Sequence, residues 1–231
     1  MSQDAVSIDN RHALRRVLDH AEALLLDFDG PVCSVFAGYP APDVADQLRE
    51  VLAEVGHEEL PEELRKTADP FDIFAYAALL GADEARYVES ALRAHEVEAI
   101  ETSEPTSGAH ELIRHWSLSG RRLAIVSNNS MAAIESYLHL HGLRPSVATL
   151  SARASSDPTD LKPSPHLIDR ALSSLDIDPS QGVFVGDSPS DMIAGRAANV
   201  VSVGYANKPG KAKLLSAAGA HAIATSMSFF L

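Results

Sequence analysis

Along the chain, short apolar runs alternate with stretches in which apolar residues recur every three or four positions. The runs occupy residues 23–28, 122–127, 147–150, 182–185, 200–203 and 221–224. Between the later ones lie amphipathic stretches at 131–141, 165–175, 190–198 and 208–218. A run of four to eight apolar residues bounded by turn signals fits a strand buried on both faces, whereas a three-to-four spacing fits a helix with one buried side. Strands separated by helices predict βαβ units, hence an α/β fold with a doubly wound parallel sheet. Several runs end in polar residues and glycines, as in Asp27-Phe28-Asp29-Gly30 and Gly186-Asp187-Ser188. Open α/β sheets bind ligands beyond the carboxyl ends of their strands, so those residues are functional candidates.

From about residue 40 to 104 the alternation stops and only helices are predicted, over 43–55, 61–66, 70–80 and 83–100. Val44, Leu48, Val51, Leu52 and Val55 illustrate the spacing. Turn-rich segments flank the stretch, at 38–42 and 102–108. The expectation is a small all-helical cap domain, 39–104, inserted into a core made of 1–38 and 105–231.

Composition narrows the classes. Of 231 residues, 45% are hydrophobic and 22% charged, ordinary values for a globular chain. Asp and Glu outnumber Lys and Arg by 32 to 19, a formal charge of −13, and no dense basic block occurs. Nucleic acid and anionic membranes, which need a positive footprint, are therefore not expected as partners. The single cysteine, Cys33, excludes an intrachain disulfide and suits a reducing compartment. Residues 1–20 lack the apolar run of a signal peptide, and no stretch has the ~18 apolar residues of a membrane span. The expectation is a cytoplasmic protein, monomer or homodimer.

Four constellations carry candidate chemistry. In Leu26-Asp27-Phe28-Asp29-Gly30 two carboxylates one residue apart share a side of an extended segment, a pair suited to a hard divalent ion; the same residues also suit an Asp-Gly turn. In Val126-Ser127-Asn128-Asn129 a strand ends in a hydroxyl and amides that can grip a phosphate oxygen, or cap the helix near Met131. In Leu161-Lys162-Pro163 an ammonium group precedes prolines, either a charge for a phosphoryl group or a solvated loop lysine. In Gly186-Asp187-Ser188-Pro189-Ser190-Asp191 two acids lie one helical turn apart and can converge, although Asp191 also suits the first turn of a helix.

In this order the four segments resemble the motifs of the haloacid dehalogenase-like superfamily, and the segment 105–112 resembles the return from a helical cap into the core. The match spans residues 24 to about 224 and points to the helical-cap branch that includes phosphoglycolate phosphatases and β-phosphoglucomutases. Pro31 departs from the usual Thr or Val after the glycine and should stiffen the turn. The resemblance implies a Rossmann-like core and a magnesium-dependent phosphatase acting on a small phosphomonoester. In it Asp27 is the nucleophile and Asp29 the general acid/base. Ser127, Asn128 and Lys162 bind the phosphoryl group, with Ser127 and Lys162 also assisting catalysis. Asp27, Asp29, Asp187 and Asp191 hold Mg2+. The implied partner is a small phosphorylated metabolite.

Alternatives are a phosphomutase or phosphotransferase acting on a sugar phosphate, and a non-catalytic domain binding a metabolite or partner. Dehalogenating members lack the second Asp, present here as Asp29. Phosphonate cleavage requires a cap lysine, for which Lys66 is the only candidate in the insert. His57, Arg65, Lys66 and Tyr76 are the cap side chains expected within reach of substrate, and Trp116 is expected in the core.

Overall fold

A computed structural model describes residues 6–231. Helix α1 (Arg11–Asp19), started by the Asn10 side chain accepting from the N–H groups of His12 and Ala13, precedes strand β1 (Ala23–Leu26). A two-residue strand β2 (Cys33–Ser34) leads into α2 (Ala41–Glu54), α3 (Glu62–Lys66), α4 (Pro70–Leu80) and α5 (Ala82–Ala99). The chain returns through β3 (Glu104–Pro105) and α6 (Ala109–Leu118). It then alternates: β4 (Arg122–Ser130), α7 (Met131–Leu140), β5 (Thr149–Arg153), α8 (His166–Leu175), β6 (Gly182–Gly186), α9 (Pro189–Ala197), β7 (Val201–Tyr205), α10 (Lys211–Ala218) and β8 (Ala222–Ala224).

The strands β5-β4-β1-β6-β7-β8 form one sheet in that order, and every pairing is parallel. Strand order reverses direction across β1, which puts the crevice at the carboxyl end of β1, between β4 and β6. All four residues of β1 are buried: Leu24 and Leu26 join one apolar cluster, Ala23 and Leu25 the other. That two-sided burial is why β1 reads as an unbroken apolar run rather than an alternation. Trp116 lies in the first cluster, its indole N–H donating to the Arg122 carbonyl at 2.9 Å. The insert helices bury Val44, Leu48, Ile73, Phe74 and Leu92 in the second cluster, together with core residues of α8. Chain enters and leaves the insert through the antiparallel ribbon β2–β3, pairing Cys33 with Pro105 and Ser34 with Glu104.

The structure differs from the sequence pattern at several ends. β4 continues past Ser127 to Ser130 through a register shift, and β5 runs on to Arg153. Both extensions are mostly polar, Asn128-Asn129-Ser130 and Ser151-Ala152-Arg153, so hydrophobic periodicity is blind to them. Residues 208–210 are not helical, because Pro209 disfavours helix in the residue before it and Gly210 sits at φ +85°. The ribbon β2–β3 is too short to show an alternation. Residues 1–5 of the N-terminal stretch lie outside the described residues. Among the described residues no helix is long and apolar enough to cross a membrane.

Candidate active site

Three strand ends and one loop converge on the crevice. Asp27 and Asp29 follow β1, and the Asp27 carboxylate accepts from the Phe28 N–H at 2.7 Å while Asp29 accepts from the Val35 N–H at 3.0 Å. Gly30 stands at φ +105°, and a Cβ there would lie 2.4 Å from the Asp187 carboxyl group. Only glycine lets the β1 loop approach the β6 loop this closely. Gly186 plays the same part for Asp191, whose Cβ would be 2.4 Å from an added one.

Lys162, in the loop before α8, is buried and reaches in from the opposite side. Its Nζ lies 2.7 Å from Asp27 Oδ1 and 2.6 Å from Asp191 Oδ1, and donates to the Val126 carbonyl at 3.3 Å. Asn128, at the end of β4, holds the lysine backbone: its Oδ1 accepts from the Lys162 N–H at 2.8 Å and its Nδ2 donates to the Lys162 carbonyl at 3.1 Å. The buried hydroxyl of Ser127 donates to Asn129 Oδ1 at 3.2 Å and accepts from the Asn129 N–H at 3.3 Å. Ser130 caps α7 by accepting from the Ala133 N–H.

Asp187 pairs with Lys211 at the start of α10 and accepts from Asn207 at 3.4 Å. Asp191 is engaged on both oxygens: Oδ1 by Lys162, Oδ2 by the N–H groups of Asp187 and Ser188 and the Ser188 hydroxyl. With Ser188 it closes a capping box at the start of α9. One oxygen each of Asp27, Asp187 and Asp191 lie within 4.8 Å of one another. Burial, then Asp191, push Asp27 up to about 8 despite Lys162; burial takes Asp29 up to about 6 and raises Asp187. On Lys162, burial acts downward, but Asp191 and Asp27 outweigh it and hold the ammonium group charged. A cluster of hard oxygen donors this short of positive charge fits a divalent cation such as magnesium.

These groups open onto a cavity of about 480 Å3, whose lining includes Asp27, Asp29, Ser127, Lys162 and Asp187. Residues 42–205 match the family described as haloacid dehalogenase-like hydrolase. The chain belongs to that family. A phosphoglycolate phosphatase (plasmid) of Cupriavidus necator is 30% identical over 226 residues, covering 89% of both chains. Among solved structures, a predicted phosphatase of Clostridium acetobutylicum superposes with a TM-score of 0.67 at 18% identity, covering 89% of this chain and 94% of the other. CbbY of Rhodobacter sphaeroides in complex with phosphate gives 0.60 at 21%, covering 90% and 95%. The chain is a phosphohydrolase of the helical-cap branch of the haloacid dehalogenase-like family.

In this family member the structure brings Asp27, Asp29, Ser127, Asn128, Lys162 and Asp187 to one cavity and Asp191 directly behind it. It does not bring the expected cap side chains. His57 faces Glu84 at 3.2 Å, Lys66 pairs with Glu62 on the surface, and Tyr76 lines a neighbouring apolar groove. Arg65 is not among the lining residues. The insert instead presents Asp69, Phe71, Asp72 and Ala75, from the start of α4. The Asp69-Pro70 pair signals a helix start, but nothing in the spacing says which insert helix begins over the crevice. Lys211 was hidden likewise inside an expected amphipathic helix.

Proposed function

We propose that the chain is a magnesium-dependent phosphatase that hydrolyses a small phosphorylated metabolite through an aspartyl-phosphate on Asp27. The observation carrying this reading is Asp27 itself: a buried carboxylate 2.7 Å from the Lys162 ammonium group, among acids that share a 4.8 Å neighbourhood, facing an open cavity. The names of the Cupriavidus necator relative and of a Neisseria meningitidis relative, both phosphoglycolate phosphatases, support a phosphomonoester as substrate.

Asp27 attacks phosphorus, and the bond to the alcohol oxygen breaks. Asp29, whose carboxyl group is pushed up to about 6 by burial, gives its proton to that oxygen. Asp29 then takes a proton from water as the water oxygen attacks phosphorus, the Asp27–phosphorus linkage breaks, and phosphate leaves. Ser127 and the Asn128 N–H hold a phosphoryl oxygen, and Lys162 stabilises the charge on the transferring group. Asp191 keeps Lys162 aimed and ties the β6 loop to α9. Asp27 and Asp187 would hold magnesium, with the Asp29 main-chain carbonyl, as the family pattern implies. When bound, the ion supplies the positive charge that lets a phosphate dianion approach a carboxylate. The insert, residues 39–104, acts as a cap that closes over the cavity and shapes the space for the alcohol. The buried lone thiol of Cys33, held well above the usual thiol range by burial, is consistent with a cytoplasmic enzyme.

The test is phosphate release from p-nitrophenyl phosphate with magnesium, combined with acid quenching and hydroxylamine trapping of the acyl-phosphate. The expected result is a trapped adduct on Asp27 and free phosphate as product. Transfer of the phosphoryl group to an added sugar phosphate in place of free phosphate, or no adduct under turnover, overturns the reading.

A further inference from the structure

The insert's contribution to the cavity is negatively charged, and that bears on the substrate. The lining holds five carboxylates, Asp27, Asp29, Asp69, Asp72 and Asp187; Lys162 is engaged by Asp27 and Asp191, and Lys211, outside the lining, pairs with Asp187. A phosphoryl dianion and a divalent cation cancel each other's charge, which leaves the surplus acting on the alcohol part of the substrate. Asp69 and Asp72 are the two acids outside the reaction centre. Both are fixed in place: Asp69 Oδ1 accepts from the Phe71 N–H at 2.9 Å, capping α4, and Asp72 Oδ2 accepts from the Thr67 hydroxyl at 2.5 Å. Among the described residues neither is in an ion pair. Helix-start chemistry explains why acids are tolerated there, but Asn caps as well and would bring no charge.

No Lys or Arg of the insert is among the residues lining the cavity, and Lys66 pairs with Glu62. Arg49 lies behind the 64–67 turn, donating to the carbonyls of Leu64 and Thr67, while Arg86 pairs with Asp83 and Arg93 with Glu89. The apolar groove that continues outward past Ala75 adds Glu63 and, among the described residues, no cation. A substrate with a carboxylate or second phosphate on its alcohol would meet like charge on this wall and no counter-charge.

We propose that the enzyme selects phosphomonoesters whose alcohol carries a positively charged amine, and that Asp69 and Asp72 are the specificity determinants that recognise the ammonium group. This rests on the phosphatase reading above. It separates the chain from its phosphoglycolate phosphatase relatives at the level of substrate charge.

Three two-carbon esters isolate the variable: 2-aminoethyl phosphate, 2-hydroxyethyl phosphate and phosphoglycolate, which differ mainly in the charge of the terminal group. With full-length protein and magnesium, kcat/KM is expected to fall in that order. For charges several ångströms apart in a partly solvated cavity, each step is about tenfold. The spread should shrink as salt is raised, since screening weakens charge selection and leaves shape selection alone. D69N/D72N should bring the amine and alcohol esters to within about twofold of each other, because only the charge is removed. A preference for phosphoglycolate, or a ranking insensitive to salt, overturns the proposal while leaving the phosphatase reading intact. A ranking that survives in D69N/D72N removes the role of these two acids. Failure to hydrolyse any of the three esters and p-nitrophenyl phosphate overturns the phosphatase reading itself.

Discussion

Two groups of buried charges sit about the strand ends, and they are built differently. One is the crevice cluster of Asp27, Asp187, Asp191 and Lys162. The other lies where the insert meets the core: Arg153, at the end of β5, donates to Glu89 and Glu96 of α5 at 2.5 Å each, and to the Asn128 carbonyl at 3.1 Å. Glu96 also accepts from Asn129 Nδ2 at 3.1 Å and from the Ser130 N–H at 2.8 Å. The guanidinium group further faces the Phe74 ring at 5.5 Å. The charged groups of this cluster are all paired within the protein, and Arg153, Glu89 and Glu96 do not line the main cavity. The crevice group faces 480 Å3 of space, with the carboxyl groups of Asp27 and Asp187 pushed upward by burial. Saturated by protein, buried charges act as a clasp; left short of cations beside a cavity, they await a ligand. The clasp also ties α5 of the insert to the end of β4 that carries Ser127 and Asn128.

The sharpest break in that comparison comes from Asp27→Asn. Turnover should fall by at least about a thousandfold, the scale seen when a nucleophile is removed. The metal-free protein should melt no lower than wild type, because burial already disfavours the charge that the substitution removes. Steady-state kinetics and circular dichroism melting check both halves; an active variant, or one that unfolds, contradicts the assignment of this group to ligand rather than fold.

Arg153→Met should do the reverse. Two buried glutamates lose their counter-charge, so the expected loss of stability is about 3–5 kcal/mol, read by urea unfolding. A change within 0.5 kcal/mol would mean the clasp is ornamental.

Magnesium should stabilise the folded protein in a pH-dependent manner. In the metal-free protein the raised Asp27 and Asp29 groups leave stability fully present below their ordinary value of 3.8. It is lost as pH rises towards about 6 for Asp29 and about 8 for Asp27. Added ion must displace those protons at pH 5 and need not at pH 8.5. Magnesium at a hundredfold excess over the Kd of pH 8.5 should stabilise the protein by ~2.7 kcal/mol there, and the same concentration should raise Tm less at pH 5. Equal shifts at both pH values would take the ion away from these carboxylates.

The smallest effect is expected from Ser130→Ala. Losing the cap of α7 should cost ~1 kcal/mol by urea unfolding. Because Glu96 is held by the Ser130 backbone N–H and not by its hydroxyl, the clasp should persist. A loss as large as that of Arg153→Met would place the hydroxyl inside the clasp.

The sheet and the crevice residues were legible in the sequence because both rest on local regularities. Strands buried on two faces need continuous apolar runs, and the loops after them need short, fixed spacings such as Asp27 to Asp29 or Asp187 to Asp191. The insert was legible as helices for the same reason. Arg153 was not, because a polar residue ending a strand carries no periodic signal and its partners are 64 and 57 residues away. Lys211 reaches Asp187 from 24 residues on.

The acidic cap wall belongs with these. His57, Arg65, Lys66 and Tyr76 looked suited to a substrate by residue type alone, whereas the face that α4 turns to the crevice is decided by how α2, α4 and α5 pack their apolar stripes. Sequence by itself therefore determined the fold class, the order of the elements and which residues stand at the crevice, since each is written within a few consecutive residues. The tertiary structure alone decided which charges are saturated, which are left facing the cavity and which side chains the insert lends to the site. Those are properties of distances between residues far apart in the chain, and local patterns do not encode them.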